Sequence, residues 1–131
     1  MNSRPTMSQE IAEAAVSFQQ QTTGHAPRAI TVVLGQDTLV VTLHAALSPV
    51  ERDLAKNPDG AAQVREFHRQ LFFTSFQRLR EEVMKITGVE WREAVAEIEP
   101  TTGDIVQAFT RNAKAQVFQL ARGNFQDLTK G

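Results

Sequence analysis

The sequence predicts an α+β fold in the order α-ββ-αα-ββ, with a mainly antiparallel four-stranded sheet and one long helix packed across a face. Three observations predict it. Two pairs of apolar runs are each split by turn residues, Gly35-Gln36-Asp37 in the first and Pro100-Thr101-Thr102-Gly103 in the second. Such residues tolerate the backbone angles of tight connections, so each pair reads as an antiparallel hairpin. Between the hairpins, apolar residues from Gly60 to Thr87 recur at helical spacing, over about 40 Å of helix. Finally, 131 residues with 41% hydrophobic composition suffice for one core and fall short of two ordinary domains.

In chain order, residues 1–7 read as a disordered start. Ser8 can then cap a helix to about Gln21, with Ile11, Ala14, Ala15 and Phe18 three and four apart. Thr22, Thr23 and Gly24 end it, and Pro27 pushes the residue before it toward extended geometry. Strands follow over Arg28–Leu34 and Thr38–Ala45. Ile30, Val32 and Leu34 share one face of the first, and Leu39, Val41 and Leu43 share one face of the second. Val33 and Val40 point the other way, so the second face of the sheet is not wholly polar and calls for a cover, from this chain or from another subunit.

Ser48-Pro49-Val50-Glu51 starts a short helix: a hydroxyl cap, Pro at the first helical position, and Glu placed to answer the cap's backbone N–H. That helix ends near Lys56, and Asn57 or Asp59 can cap the long one. On the long helix Phe72, Phe73 and Phe76 widen the apolar stripe beyond what one sheet face needs. The helix is either sandwiched inside the monomer or carries a homodimer interface, and the small number of elements favours the homodimer. Gly88 ends it, and the second hairpin runs over about Val89–Ile98 and Asp104–Arg111. A single domain thus spans 8–110. The tail, 111–131, has Phe118, Ala121, Phe125 and Leu128 at helical spacing, as a short docking helix or an end that folds only against a partner.

Composition excludes several classes of function. Fourteen Lys and Arg against fifteen Asp and Glu give no global attraction to nucleic acid. Cysteine is absent, which removes disulfides, thiolate metal sites and thiol nucleophiles. The amino end lacks the apolar run of a signal peptide, and no segment approaches the roughly 20 apolar residues of a membrane span. The expectation is a cytoplasmic protein without direct membrane insertion. The seven glycines are scattered, so no phosphate-cradling loop or cofactor motif arises, and no cofactor is expected.

Candidate chemistry is sparse. His25, His44 and His68 fall on a turn, a strand end and a helix, without the clustering a metal site wants. Arg65 and Arg69 lie four apart with His68 beside them, a fork suited to a carboxylate, phosphate or bicarbonate if Arg28 converges on it. The competing account is a solvated face, or ion pairs with Glu51, Asp53 or Asp59. Glu93, Glu97 and Glu99 alternate on one strand face, as an exposed sheet face does without any function. Trp91, the sole tryptophan, suits the edge of a core better than a stacking platform. No nucleophile elbow or triad pattern occurs, so no enzyme is expected.

The chain also resembles the MpsC-like family. The resemblance rests on Gly24-His25-Ala26-Pro27, the hairpin with Asp37-Thr38-Leu39-Val40-Val41, and Leu47-Ser48-Pro49-Val50-Glu51 followed by Leu54-Ala55. It continues through Gly60, Val64-Arg65, Arg69, Ile86-Thr87-Gly88 and a strand ending near Phe109. Two departures stand out: the family turn commonly reads Gly-Arg-Gly-Pro where this chain has His25 and Ala26, and Glu97 replaces an Asp. The resemblance implies a non-enzymatic accessory or regulatory component beside membrane proteins that handle Na+ or inorganic carbon. Two alternatives stay open, a small-anion sensor built on the arginines and a dimeric adaptor or chaperone for a partner protein.

Overall fold

Helix α1 (Met7–Thr23) begins at a capping box: Thr6 Oγ1 accepts the Gln9 N–H at 3.1 Å and Gln9 Oε1 accepts the Thr6 N–H at 2.7 Å. The cap expected at Ser8 is therefore displaced by two residues. A cap there would put Ile11 at the third helical position, where no side chain could answer the backbone, whereas Thr6 places Gln9 there. Gly24 ends the helix in the left-handed region, φ 78°, donating its N–H to Gln20 O. A computed structural model describes residues 6–111 of the chain, so the expectations for the start before Thr6 and for the tail from Asn112 lie outside the described residues.

Strands β1 (Ala29–Leu34) and β2 (Thr38–His44) form the first hairpin, and β3 (Glu93–Glu99) and β4 (Asp104–Thr110) the second. The four make one sheet in the order β1-β2-β4-β3, and every pairing is antiparallel. Register aligns Val32, Val41, Gln107 and Ala96 in one row across the sheet, and Leu34, Leu39, Phe109 and Ala94 in the next. These rows face the helices. α1 packs over β1 and β2, α3 (Pro58–Thr87) packs over β3, and the two helices touch each other. Ile11, Ala15 and Phe18 of α1 meet Phe72, Leu79 and Val83 of α3 and Leu39, Val41, Leu43, Ile105 and Phe109 of the sheet in one buried cluster. The opposite sheet face carries a second apolar row, Val33, Val40, Ala108 and Val95, in which Val33, on the edge strand, is 60% exposed.

β3 begins at Glu93, four residues later than the sequence predicts. The intervening residues are tied to the helix end. Thr87 Oγ1 accepts the Val89 N–H and the Trp91 indole N–H, while Arg80 donates to the Trp91 carbonyl. Trp91 is fully buried and belongs to the main core cluster, rather than to the edge the sequence suggests.

The helical crossover turns at a sharp elbow. Short helix α2 (Pro49–Leu54) ends six residues before a glycine that α3 cannot replace: a Cβ on Gly60 would stand 1.8 Å from the Leu54 carbonyl oxygen. Asn57 caps α3, its Oδ1 accepting the Gly60 N–H at 2.8 Å. Along α3 the surplus phenylalanines divide. Phe72 is core, edge-on to Phe18 and Phe109, with Phe76 stacked on it at 5.4 Å. Phe67 and Phe73 face outward, 54% and 76% exposed.

Candidate functional site

The corner between β2 and α2 is held in an unusual backbone conformation. Ala45 stands at φ 51°, the one described non-glycine residue in the left-handed region, where a Cβ costs about 1 kcal/mol. Three hydrogen bonds hold it there. Asp104 Oδ1 accepts the Ala45 N–H at 3.0 Å, Gly103 O accepts the Ala46 N–H at 2.7 Å, and His44 O accepts the Arg28 N–H at 2.8 Å. The second carboxylate oxygen of Asp104 lies 3.8 Å from His44 Nδ1, and His44 Nε2 shares a 2.8 Å hydrogen bond with Thr31 Oγ1. The β3–β4 turn thus buttresses a corner built by the first hairpin.

The corner forms one wall of an open cleft of about 550 Å³ between the His25–Arg28 turn and α2. Ala26, Ala45, Leu47 and Pro49 give it apolar ground, and Arg28, Arg52 and Lys56 bring cations, with His25 beside them. Its one carboxylate, Asp53, pairs with Lys56 at 3.1 Å. Among the described residues neither Arg28 nor Arg52 has an ion-pair partner. Guanidinium groups stay charged and offer paired donors in a plane, so two of them over apolar ground suit an anion. Sequence reasoning passes over Arg52 and Lys56, although they lie four apart, the same spacing that singles out Arg65 and Arg69. A larger trough of about 670 Å³ between α1 and α3 mixes Glu10, Glu13 and Glu82 with Arg78 and Lys85, so its charges largely offset one another.

The other predicted site residues fall elsewhere. Arg28 lines the cleft, whereas Arg69 lies against Glu66 at 3.3 Å and Glu97 at 3.9 Å and borders a 230 Å³ groove between α3 and edge strand β3. Phe72, Phe73 and Phe76 line that same groove. Arg65 is half-buried and makes no ion pair among the described residues. No described cavity is lined by Arg28 together with Arg65 or Arg69.

His68 turns inward, 4% exposed, and its Nε2–H donates to Glu51 Oε2 at 2.7 Å, since an ionised carboxylate only accepts. Glu51 therefore serves twice, because its Oε1 also accepts the Ser48 N–H at 2.9 Å in the α2 capping box. Burial pushes the Glu51 carboxyl up, but the Ser48 N–H, the charge of His68 and its hydrogen bond outweigh burial and hold the group below its ordinary value. The folded state thus binds this proton more weakly than the unfolded chain does. The stabilisation is present above the ordinary carboxylate range and is lost as pH falls through the folded value. Glu51→Gln, which can still cap, is expected to lose about 1–2 kcal/mol at neutral pH. Urea titrations should show the gap between variant and parent closing below roughly pH 4; a gap independent of pH would contradict the pair. Sequence reasoning places Glu51 as a partner for the arginines of this helix face, whereas across the α2–α3 elbow it is His68, 17 residues on, that takes it.

Among the described residues no group of three or more His, Asp or Glu is placed to hold a metal ion, and no helix is long and apolar enough to cross a membrane. No solved structure matches the chain. The uncharacterized protein YbcI of Bacillus subtilis (strain 168) is 20% identical over 107 residues, covering 82% of this chain and 86% of YbcI. Residues 3–112 match the family described as the Na+-translocating membrane potential-generating system (MpsC). That match runs through every described element from α1 to β4, and the chain belongs to the MpsC family.

Proposed function

We propose that the protein is a non-enzymatic cytosolic accessory or regulatory component, acting as a homodimer beside a membrane system that handles Na+ or inorganic carbon. The observation that carries the proposal is family membership over residues 3–112, in a chain whose described helices cannot themselves cross a membrane. A translocating system needs a span, so a family member with none among its described helices works through a partner. The surface for protein contact is the outer side of α3, where Phe67 and Phe73 expose large aromatic area. A second role, an adaptor holding a partner's peptide, is favoured by the 230 Å³ groove that Phe73 and Phe76 border against edge strand β3.

Two measurements test this. Light scattering at micromolar concentration is expected to give the mass of two chains, and Phe73→Glu, at an exposed position that leaves the core intact, to give the mass of one. A parent that scatters as a monomer removes the dimer. Photocrosslinking from a benzoylphenylalanine at position 73 in intact cells is expected to capture a second copy and an integral membrane protein of ion or bicarbonate transport. Capture of unrelated soluble proteins alone would overturn the accessory role.

A further inference from the structure

We infer that the cleft between the His25–Arg28 turn and α2 is a binding site for a phosphate monoester, with the phosphate held by Arg28 and Arg52 and the organic body lying on Ala26, Ala45 and Pro49. Charge sets the class of ligand. Three cations, Arg28, Arg52 and Lys56, against one carboxylate, Asp53, leave two positive charges facing the cleft. A dianion matches that count, and a phosphate monoester is close to a dianion at neutral pH. Each guanidinium can give two parallel donors to phosphate oxygens, which an ammonium cannot.

Size and backbone point the same way. A cleft of about 550 Å³ falls within the usual range for small-molecule sites and has room beyond a bare anion. The apolar half of its lining, from Ala26, Ala45 and Pro49, gives an organic body a surface that a lone inorganic ion would not use. Ala45, a lining residue, is held at φ 51° by the Asp104 carboxylate. Strain at a lining position, kept in place by a side chain from another hairpin, marks a wall that is fixed before any ligand arrives. The arginines, by contrast, are not locked in internal ion pairs among the described residues, so no salt bridge must break for a ligand to bind.

Calorimetric titration of the purified chain at constant ionic strength tests the site. Inorganic phosphate and a nucleoside monophosphate serve as soluble probes, and phosphatidylcholine vesicles carrying phosphatidic acid serve as the lipid arm. The expected result is one nucleoside monophosphate bound per chain, more tightly than inorganic phosphate. Arg28→Ala and Arg52→Ala should each weaken binding by roughly tenfold or more, Arg52→Lys should weaken it less, and Arg69→Ala should leave it unchanged. Arg28 and Arg52 are exposed, so these variants are expected to melt with the parent, which circular dichroism checks. Binding of the vesicles alone, with the same arginine dependence, would identify a lipid headgroup as the source of the phosphate and sustain the site. No binding in either arm, or equal binding by the Arg28→Ala/Arg52→Ala double variant, would overturn it. Because binding is a property of the isolated chain, its outcome is separate from whether any membrane protein is captured at position 73.

Discussion

Gly60→Ala is expected to destabilise the protein by about 3 kcal/mol or more, although alanine is the better helix former. Helix propensity favours the substitution by about 1 kcal/mol. Against it stands a Cβ placed 1.8 Å from the Leu54 carbonyl oxygen, a backbone atom that cannot rotate aside. Relief requires α2 to move away from α3, and α2 carries Glu51, whose carboxylate pairs with buried His68 at 2.7 Å. The clash therefore also opens a buried hydrogen-bonded pair, one of the mechanisms that produce large mutational losses. Urea denaturation at neutral pH should show the loss directly, and the melting temperature of a domain this size should drop by roughly 10 °C or more. An alanine variant that melts within a degree of the parent would mean that the elbow relaxes freely. Arg52 and Lys56 ride on the same segment, so phosphate binding in the cleft should weaken along with stability.

Trp91→Ala is expected to cost about 3–5 kcal/mol, the usual loss for emptying a large aromatic from a core. Trp91 is fully buried and its indole N–H donates to Thr87 Oγ1 at 3.1 Å, which pins the segment between α3 and β3 to the helix end. Trp91→Phe fills most of the volume and drops only the hydrogen bond, so it should lose about 1–2 kcal/mol. Circular dichroism melts of the two variants give the ordering. Equal losses would mean that the hydrogen bond, rather than the packed volume, dominates. In the parent, the single tryptophan reports unfolding by a red shift of its emission, as its ring passes from the core to water.

Both hairpins were legible because turn chemistry is local: Gly35-Gln36-Asp37 and the Pro100–Gly103 connection sit where the chain reverses, and the pairing that follows is a matter of period. Ser48 and Glu51 likewise act as the capping box their spacing announces. The miss at α1 was also local, since Thr6 and Gln9 carry the same spacing and Ser8 only looked like the nearer cap. What sequence could not supply was anything decided by the sheet's strand order or the elbow. The division of Phe72 and Phe76 from Phe73 depends on which side of α3 meets Phe109. The inward turn of His68 depends on α2 lying against α3. Of the candidate site, Arg28 was visible as a cation, but its neighbours Arg52 and Lys56 come to it only through the strained corner at Ala45, and alanine is the last residue a sequence pattern would flag for positive φ.

The strand order has a consequence for how the chain is made. β4, the last described strand along the chain, is not an edge: it lies between β2 and β3 and joins the two hairpins. Its seam with β2 pairs Thr38 with Thr110 and Leu43 with Ile105, partners separated by 72 and 62 residues. During synthesis β1 and β2 can form their hairpin early, yet one whole side of β2's hydrogen-bonding groups stays open until β4 has been translated. Over that interval Leu39, Val41 and Leu43 lie on a strand with a free edge, the condition under which chains pair with one another instead of with themselves. The sheet therefore closes late and from its middle, and the nascent chain is most exposed to aggregation just before its fold is complete.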